Sequence, residues 1–145
     1  MKILIVGMGL IGGSVCKALK ANTDHEVYGC DVEESILQAA KEENIIDGIG
    51  KMEDGIYDIC IVCLHQRVAQ PCMKQALPSL KKGSILMDMC GLKGQMVLEF
   101  TNACRIAGLY YVGTHPMAGR EKSGYSASIP NLFDHANFII TPTYG

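Results

Sequence analysis

Short apolar runs and longer amphipathic segments alternate along the chain. An apolar run at residues 3–6 predicts a buried strand, and apolar positions at helical spacing over residues 10–20 predict a helix directly after it. The same reasoning predicts the other elements of the first half: a strand at residues 26–30, a helix opening with Glu33 and Glu34, a short third strand at residues 44–46 and a loop over residues 47–55.

The alternation continues in the second half. Residues 56–64 are apolar almost throughout, as expected for a strand that is covered on both faces. The next helix is predicted to run to about Leu77, with Pro71 among its early residues and Pro78 ending or kinking it. The remaining predictions are a strand at residues 84–89, a helix over residues 96–107 that ends at Gly108, and strands at residues 109–113 and 136–141.

Strands that alternate with helices indicate βαβ units. Right-handed crossovers then produce a doubly wound α/β fold of the Rossmann type, with a mainly parallel sheet and helices on both faces. At 145 residues the chain is predicted to form one domain. In such folds ligands bind outside the carboxyl ends of the strands, so the residues that follow each strand are the functional candidates.

A glycine motif joins the first strand to the first helix. Gly7, Gly9 and Gly12 form Gly-x-Gly-x-x-Gly, in which the first glycine permits the tight turn and the second lets a pyrophosphate approach the backbone. The third lets the helix pack closely on the strand, and free N–H groups at Leu10 and Ile11 favour phosphate binding. The motif predicts a dinucleotide site; the alternative is a glycine-rich turn without a ligand.

An acidic residue follows the second strand. Asp31 stands nineteen residues after the last glycine of the motif, where a carboxylate accepts hydrogen bonds from the adenosine ribose. A 2′-phosphate at this position would meet like-charge repulsion, and the next residues, Val32, Glu33 and Glu34, offer no arginine to bind it. The predicted cofactor is therefore NAD rather than NADP.

Three later segments follow strands on the same predicted edge of the sheet. Leu64 and His65 come after the fourth strand and Gly91 after the fifth, and all three are predicted cofactor contacts. His115 comes after the sixth strand and is the candidate general acid or base, because imidazole titrates near neutrality. The alternative for His115 is a packed, hydrogen-bonded histidine of a loop.

Composition narrows the class of protein. A net charge of −2 with no long basic cluster disfavours nucleic acid and membrane surfaces as partners. The opening apolar run is short and enters a glycine loop, so it does not resemble a signal peptide, and no run has the length of a membrane span. These features predict a cytoplasmic protein.

Seven cysteines are scattered over the predicted strands and helices. Their odd number favours free thiols in a reducing compartment. Cys60 and Cys63 form Cys-x-x-Cys inside a predicted strand, where residues three apart point to opposite faces, so no metal site is predicted.

Four stretches together resemble the prephenate dehydrogenase family, which includes the arogenate and cyclohexadienyl dehydrogenases of tyrosine biosynthesis. They are Gly-Leu-Ile-Gly-Gly-Ser at 9–14, Asp-Met-Cys-Gly-Leu-Lys-Gly at 88–94, Gly-Thr-His-Pro-Met-Ala-Gly-Arg-Glu-Lys-Ser-Gly at 113–124, and Asn-Leu-Phe at 131–133 with Phe-Ile-Ile-Thr-Pro at 138–142. The third stretch is the specific one, because the glycine loop alone does not separate this family from other dehydrogenases.

The resemblance implies an NAD-dependent oxidative decarboxylation of prephenate to 4-hydroxyphenylpyruvate. By position, His115 matches the catalytic histidine that bonds the substrate hydroxyl and takes its proton as hydride leaves. Glu121 matches an acid near the substrate entrance that acts in ion pairing; the alternative is an exposed loop carboxylate. From charge alone, Arg120 is a further candidate for attracting a dicarboxylate substrate.

The chain departs from the family pattern at three places. Gly91 stands where the family often has a serine that bonds the substrate hydroxyl, and His65 stands where it usually has proline. His65 either contacts the cofactor ribose or phosphate or faces solvent. The family also continues into a helical domain that forms a homodimer and completes the substrate site, whereas this sequence stops at Gly145.

The 145-residue chain is therefore expected to bind NAD but to turn over little substrate alone. Three alternatives stay open at this point: an arogenate dehydrogenase, a non-catalytic module that binds or senses a dinucleotide, and another Rossmann dehydrogenase acting on a hydroxy acid or an imine. The motif around His115 disfavours the last of these.

Overall fold

The computed structural model describes residues 1–143. Within them, four α-helices and seven strands alternate along the chain. The helices are α1 Leu10–Asn22, α2 Glu34–Glu42, α3 Gln66–Ala76 and α4 Gly94–Ala107. The strands are β1 Lys2–Val6, β2 Glu26–Cys30, β3 Gly48–Ile49, β4 Ile59–Val62, β5 Ile85–Asp88, β6 Tyr110–Pro116 and β7 Phe138–Thr141.

The strands form a single sheet in the order β3-β2-β1-β4-β5-β6-β7. Every neighbouring pair is parallel except β6 and β7, which are antiparallel. The first six strands have the Rossmann order, in which the direction of winding reverses between β1 and β4. The predicted doubly wound, mainly parallel α/β fold is confirmed.

Apolar clusters cover both faces of the sheet. Leu4 and Val6 pack with Phe100 in one cluster, and Ile3 and Ile5 belong to the other, because successive residues of a strand point to opposite faces. Cys60 and Cys63 likewise fall in opposite clusters. All seven cysteines are free, and residues 1–143 bring no three potential metal ligands together.

The prediction of a third strand at residues 44–46 is wrong. Asn44 has a left-handed backbone, with φ of 56°, and its N–H donates to the carbonyl of Lys41, while the N–H of Ile45 donates to that of Ala40. These bonds make residues 44–46 the turn that ends α2. The third strand is β3, which pairs with β2 on the side away from β1 and lies inside the stretch predicted to be a loop; the 3-10 helix Met52–Asp54 follows it.

Two further expectations need correction. Pro71 is the sixth residue of α3, not an early one, because the helix begins directly after His65. The sixth strand does not end at Gly113: β6 continues to Pro116, because Thr114–Pro116 pair with β7. His115 therefore lies in a strand and not in the following loop. The other predicted elements agree with the structure to within three residues at each end.

The helices of residues 1–143 include none that is both long and apolar enough to cross a membrane.

Candidate functional site

The glycine loop lies between β1 and α1 and has the geometry that its motif predicts. Gly7 has φ of 89°, a value that disfavours other residues, and its N–H donates to the carbonyl of Cys30 over 2.8 Å. A Cβ placed on Gly12 would lie 1.8 Å from the carbonyl oxygen of Gly7, whereas a Cβ on Gly9 would meet no atom within 4 Å. Gly12 therefore permits the contact between helix and loop, and Gly9 leaves open space above the loop.

The first turn of α1 presents unpaired donors to that space. The N–H of Gly13 donates to the carbonyl of Gly9 over 2.9 Å as the first bond of the helix. The N–H groups of Leu10, Ile11 and Gly12 consequently have no partner within the helix. No acidic residue lies in this turn, so the positive end of the helix dipole is not neutralised. The helix end is suited to a pyrophosphate.

Asp31 holds the glycine loop in place. Its Oδ2 accepts a hydrogen bond from the N–H of Met8 over 2.7 Å, and its Oδ1 accepts one from the N–H of Glu33 over 2.9 Å. The carboxylate thus lies directly beside the loop, as a ribose contact requires. Each oxygen keeps a second lone pair, because a carboxylate has about four acceptor sites. Val32, the next residue, is fully exposed at the same edge.

Leu64, His65 and Gly91 line one cleft of about 680 Å³ at the carboxyl edge of the sheet. Leu64 packs against the glycine loop, since its Cδ2 would lie 2.7 Å from a Cβ placed on Gly7. His65 is the N-cap of α3, and its Nδ1 accepts a hydrogen bond from the N–H of Arg67 over 3.3 Å. This local structural role uses one imidazole nitrogen of His65 and leaves the other free.

His115 is half-buried in β6 and lies against Gly91. A Cβ on Gly91 would be 3.5 Å from Cε1 of the imidazole and 3.8 Å from its Nε2. Nδ1 of His115 is buried and has no hydrogen-bond partner within residues 1–143. No carboxylate of the described chain therefore orients this imidazole, in contrast to a Ser-His-Asp triad. The imidazole is held in place by packing.

A buried ionic cluster lies beneath this site, and the sequence patterns did not reveal it. Asp88 is fully buried at the end of β5, where its carboxylate forms an ion pair with Lys93 and accepts hydrogen bonds from Tyr111 Oη over 2.5 Å and from the N–H of Cys90. Its backbone carbonyl accepts a hydrogen bond from Thr114 over 2.6 Å. Burial, with the bond to Asp88, raises the pKa of Tyr111, so the phenol stays a donor.

The cluster fixes both sides of the contact between Gly91 and His115. Cys90 and Lys93 flank Gly91 in the chain, and both bind Asp88. Thr114 precedes His115 and binds the same residue. The only sequence signal for this arrangement is an aspartate at the end of an apolar strand with a lysine five residues later.

Arg120 and Glu121 lie outside this group of contacts. Both are exposed, and the guanidinium of Arg120 donates to the carbonyl of Ala127 over 2.6 Å. Glu121 forms no ion pair among residues 1–143, and no hydrogen bond joins either residue to His115. The ion-pairing role predicted for Glu121 stays a prediction.

The sheet order, the glycine loop and the acid after β2 define a Rossmann-type nucleotide-binding domain. Residues 15–145 match the family described as "Prephenate dehydrogenase, nucleotide-binding domain". The chain belongs to the prephenate dehydrogenase family.

Similar proteins include a prephenate dehydrogenase of Lactococcus lactis, 35% identical over 97% of this chain and 40% of that protein. Among solved structures, the arogenate dehydrogenase of Synechocystis has a TM-score of 0.90 at 27% identity, covering 99% of this chain and 50% of that one. The prephenate dehydrogenase of A. aeolicus, in complex with hydroxyphenyl propionate and NAD⁺, has a TM-score of 0.87 at 32% identity, covering 99% and 51%. The chain spans about half the length of these relatives or less.

Proposed function

We propose that residues 1–145 are the NAD-binding domain of an enzyme that oxidatively decarboxylates prephenate to 4-hydroxyphenylpyruvate. One observation carries the proposal. Cys30, Val6, Val62, Asp88 and Gly113 are aligned in register across the five central strands. The candidate residues for cofactor binding and for proton transfer all come after these strand residues in the chain. They therefore lie on one edge of the sheet.

The residues on that edge have different binding roles. The N–H groups of Leu10, Ile11 and Gly12 bind the pyrophosphate, and Asp31 accepts hydrogen bonds from the ribose. Leu64, His65 and Gly91 line the neighbouring cleft on the cofactor's path. NAD supplies the hydride acceptor when it is bound. The structure of the A. aeolicus relative, which holds NAD⁺, supports this choice of cofactor.

His115 accepts the proton of the substrate hydroxyl as hydride leaves the carbon that bears this hydroxyl and the ring carboxylate departs as carbon dioxide, and the proton then returns to the phenolate oxygen of the product. The position of His115 at the sheet edge, against Gly91 of the cleft, supports this role. Arg120 is proposed to attract the dicarboxylate substrate, and Glu121 is proposed to form an ion pair near the substrate entrance. A helical domain beyond this chain is proposed to complete the substrate site and to form a homodimer. The free thiols support a cytoplasmic location.

The test is an assay of the longest native form of the protein with prephenate and with arogenate, each with NAD and NADP. We expect NAD-dependent oxidation of prephenate, with little turnover by residues 1–145 alone. Preference for arogenate would reassign the substrate within the family. NAD binding without oxidation of either compound would contradict the proposal and favour a non-catalytic sensing module.

Cofactor choice gives a separate prediction for Asp31. Unmodified residues 1–145 should bind NAD more tightly than NADP. Asp31→Ser should reduce the ratio of these two affinities by about tenfold, because the repulsion between the Asp31 carboxylate and the 2′-phosphate is lost. NAD affinity itself should also fall, since the serine cannot accept from both Met8 and Glu33. Calorimetric titration of both cofactors measures the two effects.

Asp24→Ser is the matched control, because it removes the same charge from an exposed position at the other end of β2. It should leave the ratio of the two affinities unchanged. Tighter binding of NADP than of NAD by the unmodified chain would contradict the assignment of Asp31.

A further inference from the structure

The segment that carries Arg120 and Glu121 returns to the cofactor helix. This segment, residues 120–129, contains the 3-10 helix Tyr125–Ala127. The N–H of Ile129 donates to Oγ of Ser14 over 3.0 Å, and Ser14 is fully buried in α1. The ammonium of Lys17, one turn further along α1, donates to the carbonyl of Ser128 over 3.0 Å. Two side chains of α1 therefore bond the backbone of the segment.

Gly13 makes room for this contact. A Cβ on Gly13 would lie 2.8 Å from Oγ of Ser128, 2.9 Å from its Cβ and 3.1 Å from Cδ2 of Tyr125. Lys17 also lies over the ring of Tyr125, 5.2 Å from its centroid, as in a cation–π contact. The second turn of α1 is thus shaped and charged to receive residues 120–129.

Hydrogen bonds within the segment connect Arg120 to the residues that contact α1. The guanidinium of Arg120 donates to the carbonyl of Ala127, and the hydroxyl of Ser128 donates to the carbonyl of Tyr125 over 2.6 Å. Ser128 is the residue that contacts Gly13 and Lys17. A displacement of the segment from α1 would therefore move Arg120 as well.

We propose that Gly13, Ser14 and Lys17 are positioning residues that hold residues 120–129 on the cofactor helix and couple NAD binding to the placement of Arg120 and Glu121. The inference rests on the proposed function for the substrate role of these two residues. The coupling follows from adjacency: Gly13 donates the first bond of α1 to Gly9, so the phosphate-binding turn and the docking turn form one rigid unit. Such coupling is reciprocal, so substrate binding should strengthen NAD binding by the same factor by which NAD strengthens substrate binding.

Amide hydrogen exchange of residues 1–145, with and without NAD, tests the coupling directly. We expect NAD to slow exchange in residues 120–129 of the unmodified chain. Ser14→Ala should remove that effect, because it deletes the acceptor for Ile129 and adds no atoms. Gly13→Ala should do the same by collision with Ser128. Asn22→Ala, at the exposed end of the same helix, is the control and should behave like the unmodified chain.

A second measurement separates positioning from chemistry. In the longest native form, Ser14→Ala should raise KM for prephenate at least about fivefold, the lower end of typical couplings, with a smaller change in kcat. Unchanged exchange in residues 120–129 upon NAD binding would overturn the inference, even if the enzyme oxidises prephenate. The inference would also be overturned if Ser14→Ala showed the same NAD-dependent slowing of exchange in residues 120–129, and the same KM, as the unmodified protein. Because the exchange measurement needs no substrate, its failure is distinguishable from failure of the proposed function.

Discussion

Replacing His115 by asparagine is expected to lower kcat for prephenate by about 10²–10⁴-fold, the usual contribution of a positioned acid or base. Asparagine is similar in size and can still form a hydrogen bond, but it has no group that accepts a proton near neutral pH. The measurement is steady-state oxidation of prephenate by the longest native form of the protein, with NAD affinity determined in parallel by calorimetry.

NAD affinity should stay within about twofold in His115→Asn, because no hydrogen bond joins His115 to the glycine loop, and the variant removes transition-state stabilisation rather than cofactor binding. His135→Asn provides a matched control. His135 is exposed in a turn with φ of 59°, a conformation that asparagine adopts readily. It should keep normal kcat. Equal losses of kcat and NAD affinity in His115→Asn would mean that the histidine is structural.

The signals that predicted the fold are local ones. β1 and β4 are apolar because both of their faces are covered, and a run of such residues is visible in the sequence without knowledge of the partners. The glycine loop is equally local: Gly7, Gly9 and Gly12 lie within six residues of chain, and Gly12 packs against Gly7. The sheet order then follows from the preference for right-handed crossovers.

What the sequence did not reveal depends on distant partners. β6 extends beyond Gly113 and includes His115 because it pairs with β7, whose residues lie more than twenty positions later. Asp88 also accepts hydrogen bonds from Tyr111 and Thr114 of β6, more than twenty residues later in the chain, and only the assembled fold brings these partners to it. The contact of Gly91 with His115 is of the same kind.

Asp31 has a structural role that its spacing in the sequence did not predict. Its spacing after the glycine motif predicted a ribose acceptor. The structure adds that both carboxylate oxygens already bind backbone N–H groups, at Met8 and Glu33. The acid therefore shapes the loop as well as facing the cofactor edge. A substitution at Asp31 consequently changes the loop and the charge together, which is why its test compares the ratio of two affinities.

Alanine at the second and third glycines of the motif should have different effects: at Gly12 it should lower stability, and at Gly9 it should weaken NAD binding. Gly12→Ala should lower the free energy of unfolding by about 3 kcal/mol, because its Cβ would lie 1.8 Å from the backbone oxygen of Gly7 and no side-chain rotation relieves the clash. Gly9→Ala should change it by less than about 1 kcal/mol, the usual range for an N-cap substitution, since its Cβ meets no atom. Urea unfolding of residues 1–145 measures both values.

NAD titration of Gly9→Ala completes the test. The open space at Gly9 is where a pyrophosphate approaches the backbone, so the added methyl group should weaken NAD binding by tenfold or about 1.4 kcal/mol, in a domain that is otherwise as stable as the unmodified one. Gly9→Ala is thus a binding variant and Gly12→Ala a folding variant of the same loop. Undiminished NAD affinity in Gly9→Ala would mean that the cofactor does not lie against this loop, and the proposed site would have to move elsewhere along the sheet edge.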